Sequence, residues 1–284
     1  MDLAMALASK VGADLVVAND PDADRCAAAV EGPHGWRMLR GDEVGALLGD
    51  FLLSQHAAPE TTLLASTLVS GGLLERIASS YGAGFVRSPT GFKWIAALGR
   101  ERAEIEQREL LFGYEEALGY AFFAMAEDKD GIAALAVLCR LAQTLQAEHE
   151  SLLDRLSALS LRHGVFVTRQ LSIKAQGIDA TARLASVMER LRSLSAEALL
   201  GAGATFVDYA REPHAFPLCV FVQERGPLSG TRVCVRPSGT EAKLKLYLHA
   251  RESPADAHDL AFARERAEAR LTLVANALTP YLSA

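Results

Sequence analysis

Nowhere in the 284 residues is there a C-x-x-C pair or a closely spaced Cys/His set; the four cysteines stand at 26, 139, 219 and 234. That argues against a zinc site and a disulfide framework and makes a reducing cytoplasm the expected location. No apolar stretch is long and unbroken enough to span a bilayer, and Asp2 stands where a signal peptide would carry a basic start. A strong positive balance is lacking as well. The net charge is −6 and no Lys/Arg run forms a patch, so neither nucleic acid nor membrane is an expected partner. Internal repeats at solenoid periods and low-complexity linkers are also lacking.

What is present is apolar material for real cores: half of the residues are hydrophobic and the length suits about two domains. Residues 2–11 read as an Ala-rich helix running into the strand 14-DLVVA-18. Strand and helix patterns then alternate to about residue 160. "GDEVGALLGDFLLSQHA" reads as helix, "TTLLAST" as strand, "GGLLERIASSYG" as helix, "AGFVRS" as strand and "TGFKWIAALGRERAEI" as helix. "ELLFGYEE" then gives a strand and loop, and "DGIAALAVLCRLAQTLQ" a helix. Such alternation predicts a parallel α/β sheet. Past Gly164 the texture changes. "VFVTRQLSIKA", "PLCVFVQ" and "TRVCVRPSGTEAKLKLYLHA" read as strands, with helices near 178–196 and 256–279. This predicts a separate α+β domain, with the boundary near 158–166.

"VVANDPDADRCAAAV" (16–30) places Asp20, Asp22 and Asp24 at alternate positions, followed by Arg25. Leaving the end of a strand, such a run turns three carboxylates into one space. Three like charges so close repel one another, so keeping all three ionised at neutral pH calls for a cation among them. A hard divalent ion with oxygen ligands answers that need, and Mg²⁺ fits best because it keeps sites for water or phosphate oxygens. A solvated acidic turn opened by Asn19-Asp20-Pro21 is the alternative. An EF-hand is set aside, since Arg25 occupies the position that needs Gly and the flanks read as strands.

Three further stretches carry chemistry. In "RPSGTEAK" (Arg236–Lys243) an Arg fork, two hydroxyls and a Gly amide can donate to one tetrahedral anion, although Pro-Ser-Gly is also plain hairpin material. "GYEEALGY" (Gly113–Tyr120) offers Glu115 and Glu116, carboxylates that accept from the hydroxyls of a polyol such as a sugar; the alternative is a solvent-exposed acidic loop. "RSPTGFKW" (Arg87–Trp94) makes a turn at a helix start, where backbone amides can meet an anion or Thr90 can serve as an ordinary N-cap.

Together these motifs resemble the phosphoglucomutase/phosphomannomutase superfamily, the α-D-phosphohexomutases. "DPDADR" is similar to its metal loop, "SPTGFKW" and "GYEEALGY" to its sugar-recognition loops, and "RPSGTEAK" to its phosphate-binding loop; "STLVSGGLLERIA" and "DKDGIAAL" are also similar. The resemblance implies an α/β fold in three parts. These are the end of one mixed α/β domain (1–41), one complete α/β domain of phosphohexomutase type (42–160), and a C-terminal α+β domain (161–284). It implies phosphoryl transfer between the C1 and C6 (or C5) oxygens of an aldose phosphate, through a sugar bisphosphate. Asp20, Asp22 and Asp24 would ligate Mg²⁺, and Arg25 would lie beside the transferred group. Thr90, Gly91, Glu115 and Glu116 would recognise the sugar, and Lys129 would approach the substrate. Arg236, Ser238, Gly239 and Thr240 would grip the phosphate that does not react.

Two departures matter. Ala117 stands where family members often have Ser, and "EEALGY" is closer to the phosphopentomutase and glucose-1,6-bisphosphate synthase branch. Moreover, no serine here sits in a Ser-His-Asn-Pro-like loop, the family's phosphoserine site. The expectation is therefore the C-terminal half of a cytoplasmic phosphosugar mutase, inactive alone, with the missing N-terminal half as a possible partner. A non-catalytic phosphosugar-binding protein is a second reading. A haloacid-dehalogenase-type phosphatase fits less well, because Asp24 falls where such enzymes have Thr or Val.

Overall fold

The computed structural model describes residues 1–211, 216–226, 228–238 and 241–282. The chain divides into two units, Met1–His163 and Gly164–Ala284.

The first unit begins with helix α1 (Asp2–Val11), ended by Gly12 in the left-handed conformation. Strands β1 (Leu15–Asn19), β2 (Cys26–Gly32) and β3 (Gly35–Met38) follow as an antiparallel sheet in that order. Gly32 pairs with Gly35, so Pro33 and His34 alone turn the chain, and the positive φ of Gly35 permits that reversal. Helix α2 (Gly41–Gln55) leads to β4 (Thr62–Thr67), α3 (Leu73–Ser80), β5 (Gly84–Ser88), α4 (Phe92–Glu106), β6 (Glu109–Glu115) and β7 (Gly119–Phe122). Helices α5 (Gly131–Ala147) and α6 (Leu152–His163) close the unit.

The second sheet has the order β5-β4-β6-β7, with β4 parallel to β5 and β6 and β7 antiparallel at the edge. β4 is buried at all six positions, which is why its apolar residues Leu63, Leu64 and Ala65 stand consecutively rather than alternating. Helix α4 lies close on this sheet because Gly113 leaves room; a Cβ there would meet Ile95 at 2.7 Å. The expectation of one parallel sheet to residue 160 is thus corrected. Only three strands run parallel, because β1–β2, β2–β3 and β6–β7 are joined by short connections that leave no length for a crossover helix.

The second unit runs β8 (Val165–Lys174), α7 (Ala180–Arg192), α8 (Ala196–Leu200), β9 (Thr205–Asp208), β10 (Cys219–Gln223), β11 (Thr231–Pro237), β12 (Lys243–Glu252) and α9 (Leu260–Leu278), its strands forming an antiparallel sheet in the order β8-β12-β11-β10-β9. Val167, Val233, Val235, Leu246 and Leu248 meet Leu184, Val187 and Leu191 of α7 and Ala267, Leu271 and Val274 of α9 in one core. The helix expected over 178–196 is broken at Ser193–Ser195, where Ser195 Oγ accepts from the Ala198 amide and starts α8 anew. The final helix starts later than expected because the Asp256 carboxylate caps the His258 and Asp259 amides in a turn.

Candidate functional site

Asn19 and Cys26 are paired across β1 and β2, so residues 20–25 form the whole connection between the two strands. The Ala23 amide donates to the Asp20 carbonyl at 2.9 Å, with Ala23 in the left-handed region (φ 58). This tight path gathers Asp20, Asp22 and Asp24: each has a carboxylate oxygen within 4.8 Å of the others. Arg25 holds one of them, donating from its amide to Asp20 Oδ1 (3.0 Å) and from Nε to Oδ2 (2.5 Å). Burial raises the Asp20 carboxyl, but these bonds outweigh it and hold the group below the usual carboxylate range.

Asp24 is divided. Oδ2 lies 3.0 Å from Lys129 Nζ, while Oδ1 is buried and takes no hydrogen bond, with Arg25 Nε 3.5 Å away. A buried carboxylate oxygen without a donor is costly unless a cation completes it. Three hard oxygen donors, one of them buried without a hydrogen bond, fit a divalent ion such as Mg²⁺. The first turn of α5 backs the loop directly. The Gly131 amide donates to the Ala23 carbonyl at 3.1 Å, and a Cβ on Gly131 would lie 2.5 Å from the Arg25 carbonyl oxygen.

Three more loops stand at the carboxyl ends of the parallel strands, the usual ligand-binding edge of such sheets. The turn after β4 is tied to the end of β5 by the Leu68 amide on the Ser88 carbonyl (2.7 Å). At the end of β5, Gly91 (φ 118) is itself the N-cap of α4, not Thr90, and no side chain caps that helix. Its amide instead donates to Glu115 Oε1 at 2.6 Å, so the two loops expected at the sugar meet each other. After β6, Glu116, Ala117 and left-handed Leu118 make a three-residue hairpin into β7.

The acidic loop and this hairpin are one structure. The Cys26 amide donates to the Leu118 carbonyl at 3.0 Å, and Arg25 bridges Gly119. Lys129 completes the junction, with Nζ on Asp24 and also 5.4 Å from the centre of the Phe92 ring. Burial lowers its basicity, but Asp24 and Asp128 outweigh this and raise it. Asp20, Asp22, Asp24, Arg25, Thr90, Gly91, Glu115 and Lys129 thus belong to one unit.

Glu116 departs from expectation. Its carboxylate does not stand with that of Glu115; Oε2 accepts from Ser70 Oγ (3.1 Å) and Thr67 Oγ1 (3.4 Å). Burial and the neighbouring Asp42 and Glu115 push the Glu116 carboxyl up to about 7. Beside it, Asp42 Oδ1 accepts from the Gly71 amide (2.6 Å) and the Tyr114 hydroxyl (2.9 Å). Sequence reasoning missed Asp42 and Tyr114. Asp42 lies in the stretch read only as helix, and in "GYEEALGY" the two glutamates rather than Tyr114 carried the reading.

In the second unit, Arg236 is the last residue but one of β11, opposite Lys245, and the Ser238 amide donates to the Lys243 carbonyl at 2.8 Å. Lys243 pairs with Glu241 at 2.6 Å. "RPSGTEAK" is therefore at the tip of the β11–β12 hairpin, and Gly239 and Thr240 lie outside the described residues.

Comparison with known proteins finds two family models. "Phosphoglucomutase/phosphomannomutase, alpha/beta/alpha domain III" matches residues 40–159, and "Phosphoglucomutase/phosphomannomutase, C-terminal domain" matches 224–267. A protein of Haemophilus influenzae named "Probable phosphomannomutase" is 36% identical over 261 residues, covering 90% of this chain and 50% of its own length. Human phosphopentomutase is 38% identical over 178 residues, 60% of this chain and 29% of its own. The chain spans about half the length, or less, of such curated relatives. The open form of a Paramecium phosphoglucomutase, parafusin, shares the fold with a TM-score of 0.64 at 17% identity, over 93% of this chain and 46% of that one. A family protein of Burkholderia thailandensis does so with a TM-score of 0.60 at 16% identity, over 95% and 49%.

Proposed function

This chain belongs to the phosphoglucomutase/phosphomannomutase family, and we propose that it carries the metal, sugar and phosphate loops of a Mg²⁺-dependent phosphosugar mutase. The reaction moves a phosphoryl group between the C1 and C6 (or C5) oxygens of an aldose phosphate, by way of a serine phosphate and a sugar bisphosphate. The observation that supports this best is the joining of the acidic loop to the sugar hairpin, through Cys26 and Leu118 and through Lys129 and Asp24. A metal loop fastened to a polyol-binding loop holds a phosphoryl group and a sugar hydroxyl in fixed relation, and positioning is most of phosphoryl-transfer catalysis.

Asp20, Asp22 and Asp24 would hold Mg²⁺, which when bound neutralises charge on the phosphoryl oxygens. Arg25 stands next to that group, its guanidinium half-exposed although paired with Asp20. Glu115, Thr90 and Gly91 receive sugar hydroxyls, Lys129 approaches the substrate, and Arg236, Ser238, Gly239 and Thr240 take the distal phosphate. None of the 284 residues stands in a Ser-His-Asn-Pro-like loop, so these residues on their own bind and position without turning substrate over. The choice among glucose, mannose and pentose phosphates stays with the hairpin, where Ala117 withholds a hydroxyl.

Calorimetric titration of glucose 6-phosphate into the chain tests this reading. Arg236→Ala is expected to weaken binding by about 1.5–3 kcal/mol and Glu115→Ala by roughly 1, since the first removes a charge-assisted fork and the second hydroxyl contacts. Equal losses would remove the phosphate-loop assignment, and no binding by the parent would remove the reading itself.

A further inference from the structure

We propose that Glu116 is a positioning residue: its carboxyl pins the hairpin 115–118 to the turn 67–71 and thereby sets where the Glu115 carboxylate stands. The inference rests on the phosphosugar reading above.

The geometry is that of a clamp. Glu116 is gripped from both ends of the residue. Its carboxyl accepts from Ser70 Oγ at 3.1 Å, with Thr67 Oγ1 3.4 Å away, and its own amide reaches Ser70 Oγ at 3.3 Å. Those hydroxyls are themselves joined at 2.7 Å, and the Ser70 amide donates to Thr67 Oγ1 at 3.1 Å, so the turn is pre-shaped. Helix α2 closes the other side. A Cβ on Gly41 would lie 2.1 Å from the Glu116 carbonyl oxygen, and one on Gly45 would lie 2.5 Å from the Tyr114 ring. No side chain fits between helix and hairpin there. Glu115, one residue away, reaches in the other direction to the Gly91 amide at 2.6 Å. Movement at Glu116 is therefore passed along the chain to the contact between Glu115 and Gly91.

The clamp is sensitive to protons. Around Glu116 stand Asp42 on α2, Glu115 and Tyr114 on β6, and Arg87 on β5, whose Nη1 lies 3.5 Å from the Ser70 carbonyl oxygen and whose Nη2 pairs with Glu75. With Asp42 and Glu115 ionised, a third negative charge repels both and the hairpin loosens. Burial together with those two acids raises the Glu116 carboxyl to about 7, so the change falls near neutral pH. Below that pH the carboxyl is neutral and the clamp holds.

Two readouts test this. In a Trp36→Phe background, Trp94 is the remaining tryptophan and lies beside Gly91, so its emission reports the loop that Glu115 touches. The parent is expected to show an emission change with a midpoint near pH 7, which Glu116→Gln abolishes. For glucose 6-phosphate, the ratio of parent to Glu116→Gln dissociation constants is expected to rise about 10-fold from pH 6 to pH 8.5; the ligand's own phosphate ionisation cancels in that ratio. A transition that persists in Glu116→Gln, or a constant ratio, overturns the proposal. If neither protein binds the sugar phosphate, the reading in the preceding subsection fails, while the Trp94 titration still decides the role of Glu116. Should Glu116→Gln not fold, Ser70→Ala takes its place. Loss of a hydroxyl donated to the carboxylate must move the Trp94 midpoint to higher pH, and an unmoved midpoint rejects the clamp.

Discussion

Lys129 Nζ lies 3.0 Å from Asp24 Oδ2, so the acidic loop, already paired with Arg25, holds a second cation of the protein's own beside the space offered to a metal. Two cations that share Asp24 compete for it. Replacing Lys129 with Met is therefore expected to tighten Mg²⁺ binding roughly 3- to 10-fold, the equivalent of about 0.5–1.4 kcal/mol for a partly exposed ion pair. Titration calorimetry with MgCl₂ reads this directly; weaker binding in the variant would mean that Lys129 supports the metal loop rather than competing at it.

Gly131 sets how closely α5 approaches that loop. A Cβ there would meet the Arg25 and Ala23 carbonyl oxygens and the Asn19 amide within 2.7 Å. Gly131→Ala must push helix and loop apart, at a cost of about 1–3 kcal/mol in urea unfolding, and should weaken Mg²⁺ as well. A variant as stable as the parent would show that the loop gives way freely.

The raised Glu116 carboxyl has a consequence for stability. Its ordinary value is 4.5 and its folded value about 7, so between these the folded state binds the proton more tightly than the unfolded state. Stability attributable to this group is therefore full below pH 4.5, falls as pH rises from there to 7, and is lost above it. Glu116→Gln removes that slope. Chemical unfolding at pH 5 and pH 8 should find the variant's stability relative to the parent higher at pH 8 by about 1–3 kcal/mol. A difference that does not change with pH would place the group's ordinary ionisation in the folded state.

Much of the fold was legible because it is written in periodicity. The helices over 41–55 and 131–147, the buried strand at 62–67 and the long strand over 243–252 follow apolar spacing that local physics decides. The sheet's mixed character was not legible, since it depends on loops of two and three residues such as Pro33-His34, and short strands like Gly119–Phe122 carry too few positions to show a period. At the candidate site, the residue types in Asp20–Arg25 and Glu115–Glu116 drew notice in the sequence, but their directions were not legible there. Which way Glu116 turns is set by Ser70, Thr67 and Asp42, residues 46, 49 and 74 positions away in sequence from it. No local pattern carries that information.

The central claim is that these 284 residues hold the binding and positioning loops of a phosphosugar mutase without its nucleophile. The most direct test is a coupled assay for glucose 6-phosphate formed from glucose 1-phosphate, with Mg²⁺ and glucose 1,6-bisphosphate supplied to the purified chain. No turnover above the uncatalysed rate is predicted, with activity appearing only when a separately expressed, serine-bearing half of a family enzyme is added. Turnover by the chain alone at about one per second, an ordinary enzymatic rate, would contradict the account, because a nucleophile would then lie within these residues.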